Sequence, residues 1–241
     1  MKAIITGGSS GLGYEIARQL RLADHDVIII GTKREKLEKA REQLEAIPAS
    51  SKVEGFAFDI SDEKSIAEFF KVLSERREVV DYLFNVAGKG CFGSIENITD
   101  ESIMDILKPN LIGLMLMTAH AVSHFKAFPA PKQRIISVLS TAALKGKKNE
   151  AVYNASKWGA RGFLESVKDE VSNTHIEIIN TFPGGMITPF WDNSTSGYAV
   201  DTFMKPEDVA KQIVALAIDH NVYVSDVTIN RPRPSYHAEP V

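Results

Sequence analysis

A chain of 241 residues, 44% of them apolar, is long enough to bury one sizeable core, and nothing in its composition divides it in two. Its net charge of −3 and isoelectric point near 6.1 supply no field for capturing nucleic acid or an anionic membrane, which leaves small molecules as the expected partners. The single cysteine, Cys91, excludes an internal disulfide framework and fits a reducing, cytoplasmic setting.

From the N-terminus, "MKAIITGGSS" reaches glycine too soon for a signal peptide. Short β-rich runs then alternate with amphipathic stretches: "KAIIT" (2–6), "DVIII" (26–30), "VEGFAF" (53–58), "VVDYLFNV" (79–86), "RIISVLS" (134–140), "IEIINTF" (176–182) and "VYVSDVTIN" (222–230). Seven strands interleaved with helices predict a single α/β domain over residues 1–241. The expected architecture is a doubly wound, Rossmann-like parallel sheet of seven strands with helices on both faces. The most apolar helical stretch, "LIGLMLMTAHAVSHF" (111–125), is interrupted by two histidines and reads as well short of a membrane span. The basic runs "KGKK" (145–148) and "RPRP" (231–234) read as solvated loop and tail.

In a doubly wound sheet ligands sit beyond the carboxyl ends of the strands, so residues just after each strand bear the functional reading. The first strand runs into "TGGSSGLG" (6–13), followed by a helix with Leu12, Ile16, Ala17 and Leu20 on its apolar face. Gly7, Gly11 and Gly13, with Ser9, Ser10 and Leu12 between them, let backbone amides approach a pyrophosphate at a helix N-terminus, whose dipole favours the anion. The spacing is TGxxxGxG and not the general GxGxxG fingerprint; the competing reading is a tight strand-to-helix turn.

After the second strand stand Thr32, Lys33 and Arg34, where an NAD-preferring chain places an acid for the ribose 2′-hydroxyl. Lys33 and Arg34 suit a 2′-phosphate, which favours NADP(H) over NAD(H), unless both are ordinary exposed charges of the next helix. Asp59, with Ile60 beside it, ends "FAFDI"; it either accepts from an adenine amino group or caps a turn before a helix opened by Ser61.

Further along come "NVAG" with Asn85, Ala87 and Gly88; Asn110 after Pro109; Ser140 thirteen positions before Tyr153; "YNASK" (153–157); and "PGGMIT" with Pro183, Gly184, Met186 and Thr188. With TGxxxGxG, these motifs in this order make the chain resemble the short-chain dehydrogenase/reductase family nearly end to end. One departure is "NVAG" where "NNAG" is common in that family, at a position that varies among its members. The resemblance implies hydride transfer between a bound nicotinamide and a carbonyl or alcohol. Tyr153 then acts as acid or base, Lys157 tunes it, Ser140 holds the reacting oxygen, and Asn110 helps hold a water that relays protons to the lysine. Tyr153 and Lys157 also belong to the cofactor site, and the "PG" segment lies beside the nicotinamide.

Spacing of i and i+4 puts Tyr153 and Lys157 on one helix face. At about 5 Å and an effective dielectric of roughly 20, the ammonium stabilises phenolate by about 3.3 kcal/mol, which predicts a phenol titrating near ~7.6. The segment 186–204, with Phe190, Trp191, Tyr198 and Phe203 around "DNSTSG", covers the substrate in the family, unless those rings merely pack on the domain. Lys145, Lys147 and Lys148 either favour an acidic substrate or form a solvated loop. His120 and His124 form an HxxxH pair without a third ligand nearby, so packing or an interface is expected there and no metal. By the same resemblance a homodimer or homotetramer is expected. The rival reading from another class is a non-catalytic NADP(H) sensor or scaffold, whose signature would be loss of Ser140, Tyr153 or Lys157; all three are present.

Overall fold

The structure is a computed structural model that describes residues 1–192, 197–219 and 221–232. In chain order the elements are β1 (Lys2–Thr6), α1 (Gly11–Leu22), β2 (Asp26–Gly31), α2 (Arg34–Glu45), β3 (Val53–Ala57), α3 (Glu63–Glu75) and β4 (Tyr82–Asn85). There follow α4 (Asp100–Leu107), α5 (Gly113–Ala127), β5 (Gln133–Val138), α6 (Ala151–Glu170), β6 (Ile176–Pro183), α7 (Pro206–Ile218) and β7 (Asp226–Ile229). The strands form one seven-stranded sheet in the order β3-β2-β1-β4-β5-β6-β7, and every pairing is parallel. The chain reverses its direction of travel across the sheet between β1 and β4, the place where a doubly wound sheet opens a crevice for a ligand.

Strand residues alternate between two cores because strand side chains alternate faces. Ile4, Ile28, Ile30, Ile135 and Ile178 join one core with Phe69 and Leu73 of α3, Met117 and Phe125 of α5, and Ala160 and Leu164 of α6. Ile5, Val27, Ile29, Ile136 and Ile179 join the other with Ile16 and Leu20 of α1, Leu37 of α2, and Val209 and Ile213 of α7. Covering both faces is what makes the strands read as continuous apolar runs.

Three expectations change. The fourth and seventh strands are shorter than their apolar runs, at four residues each. Ser61 does not open α3; Asp62 is the N-cap, its side chain accepting from the Lys64 amide, because Asp59 already holds Ser61 in a turn with bonds of 2.8 Å to its amide and hydroxyl. The apolar helical stretch is also longer than "LIGLMLMTAHAVSHF". Thr99 and Ser102 cap α4 reciprocally, and α4 continues through a π turn (Lys108–Ile112) into α5, giving one helical run Asp100–Ala127 of 28 residues. By length and hydropathy that run would span a bilayer, yet Leu114, Met117, Ala121 and Phe125 are all buried in the core against the sheet.

Two buried arginines tie down helix ends, Arg134 from β5 and Arg21 from α1. Arg134, fully buried in β5, donates to the carbonyls of Leu216 (3.2 Å), Ala217 (2.8 Å) and Asp219 (2.5 Å) at the end of α7, and to the Glu177 carboxylate at 2.6 Å. Arg21 does the same for the end of α2, reaching the carbonyls of Leu44, Ile47 and Ala49. Each satisfies carbonyls that a helix terminus leaves without an intrahelical partner.

Candidate active site

The crevice is built where β1 and β4 end side by side. Thr6 closes β1, and its hydroxyl accepts from the amides of Val86 (2.9 Å) and Ala87 (3.1 Å), which fixes the "NVAG" turn beside the glycine loop. Gly7 has φ +69° with Ala87 packed against it, and a side chain at Gly13 would begin 2.3 Å from the Gly7 carbonyl oxygen, so neither position admits a Cβ. Ser10, the N-cap of α1, makes no side-chain cap, and the first turn holds no acid. The helix therefore offers its first amides and its positive dipole end to an anion. Thr188 comes from the far side, its Cβ 3.3 Å from where a Gly11 side chain would begin, so the segment after β6 closes over this loop. A glycine cradle, an uncapped helix N-terminus and a wall across from it together fit a dinucleotide pyrophosphate.

At the end of β2 the Ser9 hydroxyl lies 3.1 Å from where a Gly31 side chain would start. Thr32, Lys33 and Arg34 are exposed beside it, Lys33 is the N-cap of α2 without a side-chain cap, and neither Lys33 nor Arg34 enters an ion pair among the described residues. Asp59 keeps one carboxylate oxygen outside its turn with Ser61. Ile60 is buried against Gly113, which leaves only its backbone to face a ligand. Asn85 is buried, and its amide nitrogen is spent on Thr118 (3.0 Å, α5) and Ser137 (3.3 Å, β5), so the side chain braces β4.

The four residues singled out for chemistry converge. Lys157 is buried on α6, its ammonium donating to the Val138 carbonyl at 3.0 Å and standing 5.9 Å from the centre of the Tyr153 ring. Ser140 stands beside the Tyr153 phenol, close enough to lower its titration, and accepts from the Ala142 amide at 3.2 Å. Its backbone has φ +94° and ψ 153°, a region that strains any residue with a Cβ. Gly88 lies where a Cβ would come within 3.0 Å of the Asn110 side-chain oxygen and 3.7 Å of the Lys157 ammonium, placing the "NVAG" turn directly on this cluster.

Asn110 is explained by the π turn. Pro109 has no N–H to give, and the Gly113 amide reaches back five residues to the Lys108 carbonyl. The turn presents the Asn110 carboxamide inward, where it accepts from the Lys89 amide (2.7 Å) and donates to the Lys89 carbonyl (2.9 Å) and the Ser156 hydroxyl (3.1 Å). Ser156 in turn donates to the Tyr153 carbonyl at 2.7 Å, so the asparagine clamps the loop after β4 to α6.

The electrostatics correct the expected phenol. Burial pushes Tyr153 up to about 12, the Ser140 hydroxyl pulls against it, and the Glu150 carboxylate adds to the rise. Burial likewise pushes the Lys157 ammonium down to about 8. The value near ~7.6 came from attraction alone; desolvation of a buried phenolate outweighs it.

An aromatic wall faces Tyr153. Phe190 lies 5.8 Å from its ring and Phe92 6.4 Å; Trp191 stacks on Phe92 at 5.1 Å, and Tyr198 and Phe203 lie 5.7 and 5.2 Å from Trp191. The rings of segment 186–204 thus pack on one another and toward Tyr153; of "DNSTSG", residues 193–196 lie outside the described residues. Phe92 and Glu150 are site residues that sequence reasoning missed. A phenylalanine four residues after Gly88 was a usable signal, whereas Glu150 hid at the end of the polar run "KGKKNE". His120 and His124 stand away from this cluster, stacked and tilted on Phe70, with His124 bonded to the Glu78 carbonyl at 2.9 Å.

Known proteins place the chain. The family described as short chain dehydrogenase matches residues 1–199. A monensin polyketide synthase putative ketoacyl reductase from Streptomyces virginiae is 28% identical, covering 95% of this chain and 94% of the relative. A crystal structure of a short-chain dehydrogenase/reductase from Vibrio parahaemolyticus is 31% identical with a TM-score of 0.81, covering 95% of this chain and all of the other. A metagenomic short-chain oxidoreductase in complex with NADP is 25% identical, also at 0.81, covering 97% and 98%. With the crevice at the β1–β4 switch and the Ser140–Tyr153–Lys157 cluster beside it, the chain belongs to the short-chain dehydrogenase/reductase family of oxidoreductases.

Proposed function

We propose that this protein is an NADP(H)-dependent reductase of a neutral, largely aromatic ketone or aldehyde. The observation that carries the reading is the convergence of Ser140, Tyr153 and Lys157 against an aromatic wall, at the mouth of a crevice shaped for a dinucleotide. NADP(H) is favoured by Lys33 and Arg34 beside the uncapped N-terminus of α2, and by the NADP bound in the metagenomic relative. Reduction is favoured by the ketoacyl reductase named among the relatives.

The cofactor supplies the hydride when bound. Backbone amides of Ser9 to Leu12 would hold its pyrophosphate, Thr32, Lys33 and Arg34 would take a 2′-phosphate, Asp59 and the Ile60 backbone would serve the adenine, and the "NVAG" and "PGGMIT" backbones would hold the rest. Ser140 holds the substrate carbonyl oxygen by a hydrogen bond, and Tyr153 gives it a proton as negative charge develops there. Lys157 stabilises the phenolate left behind. Phe92, Phe190, Trp191 and Tyr198 form the wall that excludes water, with 186–204 as the covering segment. The exposed Trp158 on α6 and Met115 on α5 favour pairing of copies through those helices, as a homodimer or homotetramer; a purely monomeric sedimentation profile removes that part. The lone Cys91 suits a cytoplasmic setting.

The test is a panel of aromatic aldehydes and ketones offered with NADPH and with NADH, read at the nicotinamide absorbance. Turnover with NADPH, abolished by Tyr153→Phe without loss of NADPH binding, is expected. Tight NADPH binding without any turnover would instead mark a sensor, and undiminished turnover in Tyr153→Phe would remove the assigned acid.

A further inference from the structure

Glu150 is the residue of this site that no motif accounts for. It is the N-cap of α6, three residues and less than one helical turn before Tyr153, and it is only 3% exposed. Its neighbours in the same loop, Lys145, Lys147, Lys148 and Asn149, are all exposed, so the loop turns its lysines outward and this one carboxylate inward. The carboxylate accepts from the Tyr198 hydroxyl at 2.6 Å. Tyr198 in turn stands edge-on to Trp191 and to Phe92, which faces Tyr153. A buried acid thus sits at the polar rim of an otherwise aromatic wall, within one turn of the candidate proton donor.

We propose that Glu150 is a specificity-determining residue, a fixed carboxylate that turns the site against substrates bearing an acidic group next to the carbonyl. The inference rests on the reductase reading above. Two carboxylates brought together at this rim repel, the more so because Glu150 itself is buried away from solvent. The same carboxylate favours a neutral substrate, or one that offers a hydroxyl or ammonium donor at that edge. Its influence on the centre is visible in Tyr153 and Tyr198, whose phenols it helps to push upward. The outward lysines do not offset it, because they lie on the solvent side of the loop.

The experiment compares kcat/KM for ethyl benzoylformate and for benzoylformate, an ester and an acid with the same ketone and ring, in wild type, Glu150→Gln and Tyr198→Phe. Wild type is expected to prefer the ester. Glu150→Gln keeps the shape and removes the charge; it should shrink the ester-to-acid ratio by about tenfold or more, chiefly through a lower KM for the acid. Tyr198→Phe keeps the charge and should keep the preference. An unchanged ratio in an active Glu150→Gln overturns the proposal, as does loss of both activities in that variant, which would make Glu150 a support for the fold. Failure of wild type to reduce any neutral carbonyl removes the reductase reading itself, and this inference with it.

Discussion

Lys157 is held where an ammonium is least welcome, and replacing it separates stability from function. Burial lowers its titration point from 10.5 to about 8, and at ~1.36 kcal/mol per pH unit the charged form costs the fold on the order of 3 kcal/mol. The sign follows from proton binding. The unfolded chain holds this proton more tightly, so the cost is absent above 10.5, grows as pH falls toward 8, and is complete at neutrality. Lys157→Met removes it and forfeits one hydrogen bond, to the Val138 carbonyl, worth about 1–3 kcal/mol when its partner is left buried.

The variant should therefore be more stable than wild type at pH 7 by about 1–2 kcal/mol, roughly 3–6 °C in melting temperature for a chain of this size, while losing turnover. At pH 9.5 the remaining cost in wild type is about 1 kcal/mol, so the advantage should vanish or reverse. Thermal melts of both proteins at the two pH values, with ketone turnover at pH 7, make the check. A variant destabilised to the same extent at both pH values would refute the reasoning, because Lys157 would then be a structural residue without an electrostatic cost.

The remaining predictions concern backbone strain, the coenzyme and the clamp. Ser140→Gly should be more stable than Ser140→Ala by about 1 kcal/mol, since only glycine is at ease at φ +94°, while both lose activity about a hundredfold or more; equal urea midpoints would count against the strain. Changing Lys33 and Arg34 together to alanine should raise the KM for NADPH about tenfold or more and leave that for NADH nearly unchanged, and equal losses in coenzyme titrations would sink the 2′-phosphate assignment. Asn110→Leu strands both polar groups of the Lys89 backbone and should cost about 2–4 kcal/mol in urea unfolding, whereas a neutral outcome would mean that the clamp is dispensable.

The doubly wound class was legible because a sheet covered on both faces writes its strands as unbroken apolar runs, as in "KAIIT" and "DVIII". Strand limits were not, because apolarity and ladder pairing are separate properties. Val80 is fully buried but precedes β4, and the apolar residues before β7 lie where Arg134 and not a neighbouring strand takes the Val222 carbonyl. Arg134 stands in the sequence only as the first letter of "RIISVLS", and nothing there marks it as a cap, since a cation becomes one only when a later helix ends above it. The site was legible where spacing alone brings groups together, as with Tyr153 and Lys157 on one helix face. Glu150 and Phe92 were hidden because their roles depend on the segment after β6 returning over the "NVAG" turn.

The two displaced titrations bear on which group of the site holds the proton. An ion pair between phenolate and ammonium would lower Tyr153 and raise Lys157, but each group has moved the other way, toward its neutral form. A phenol pushed up to about 12 holds its proton until a stronger base arrives beside it, and an alkoxide forming from a carbonyl is such a base. Ser140, beside the phenol, stands where that oxygen would be held, and the Glu150 carboxylate adds to the rise that keeps the phenol protonated. The charge arrangement of the site is therefore consistent with Tyr153 as the proton donor of the proposed reduction.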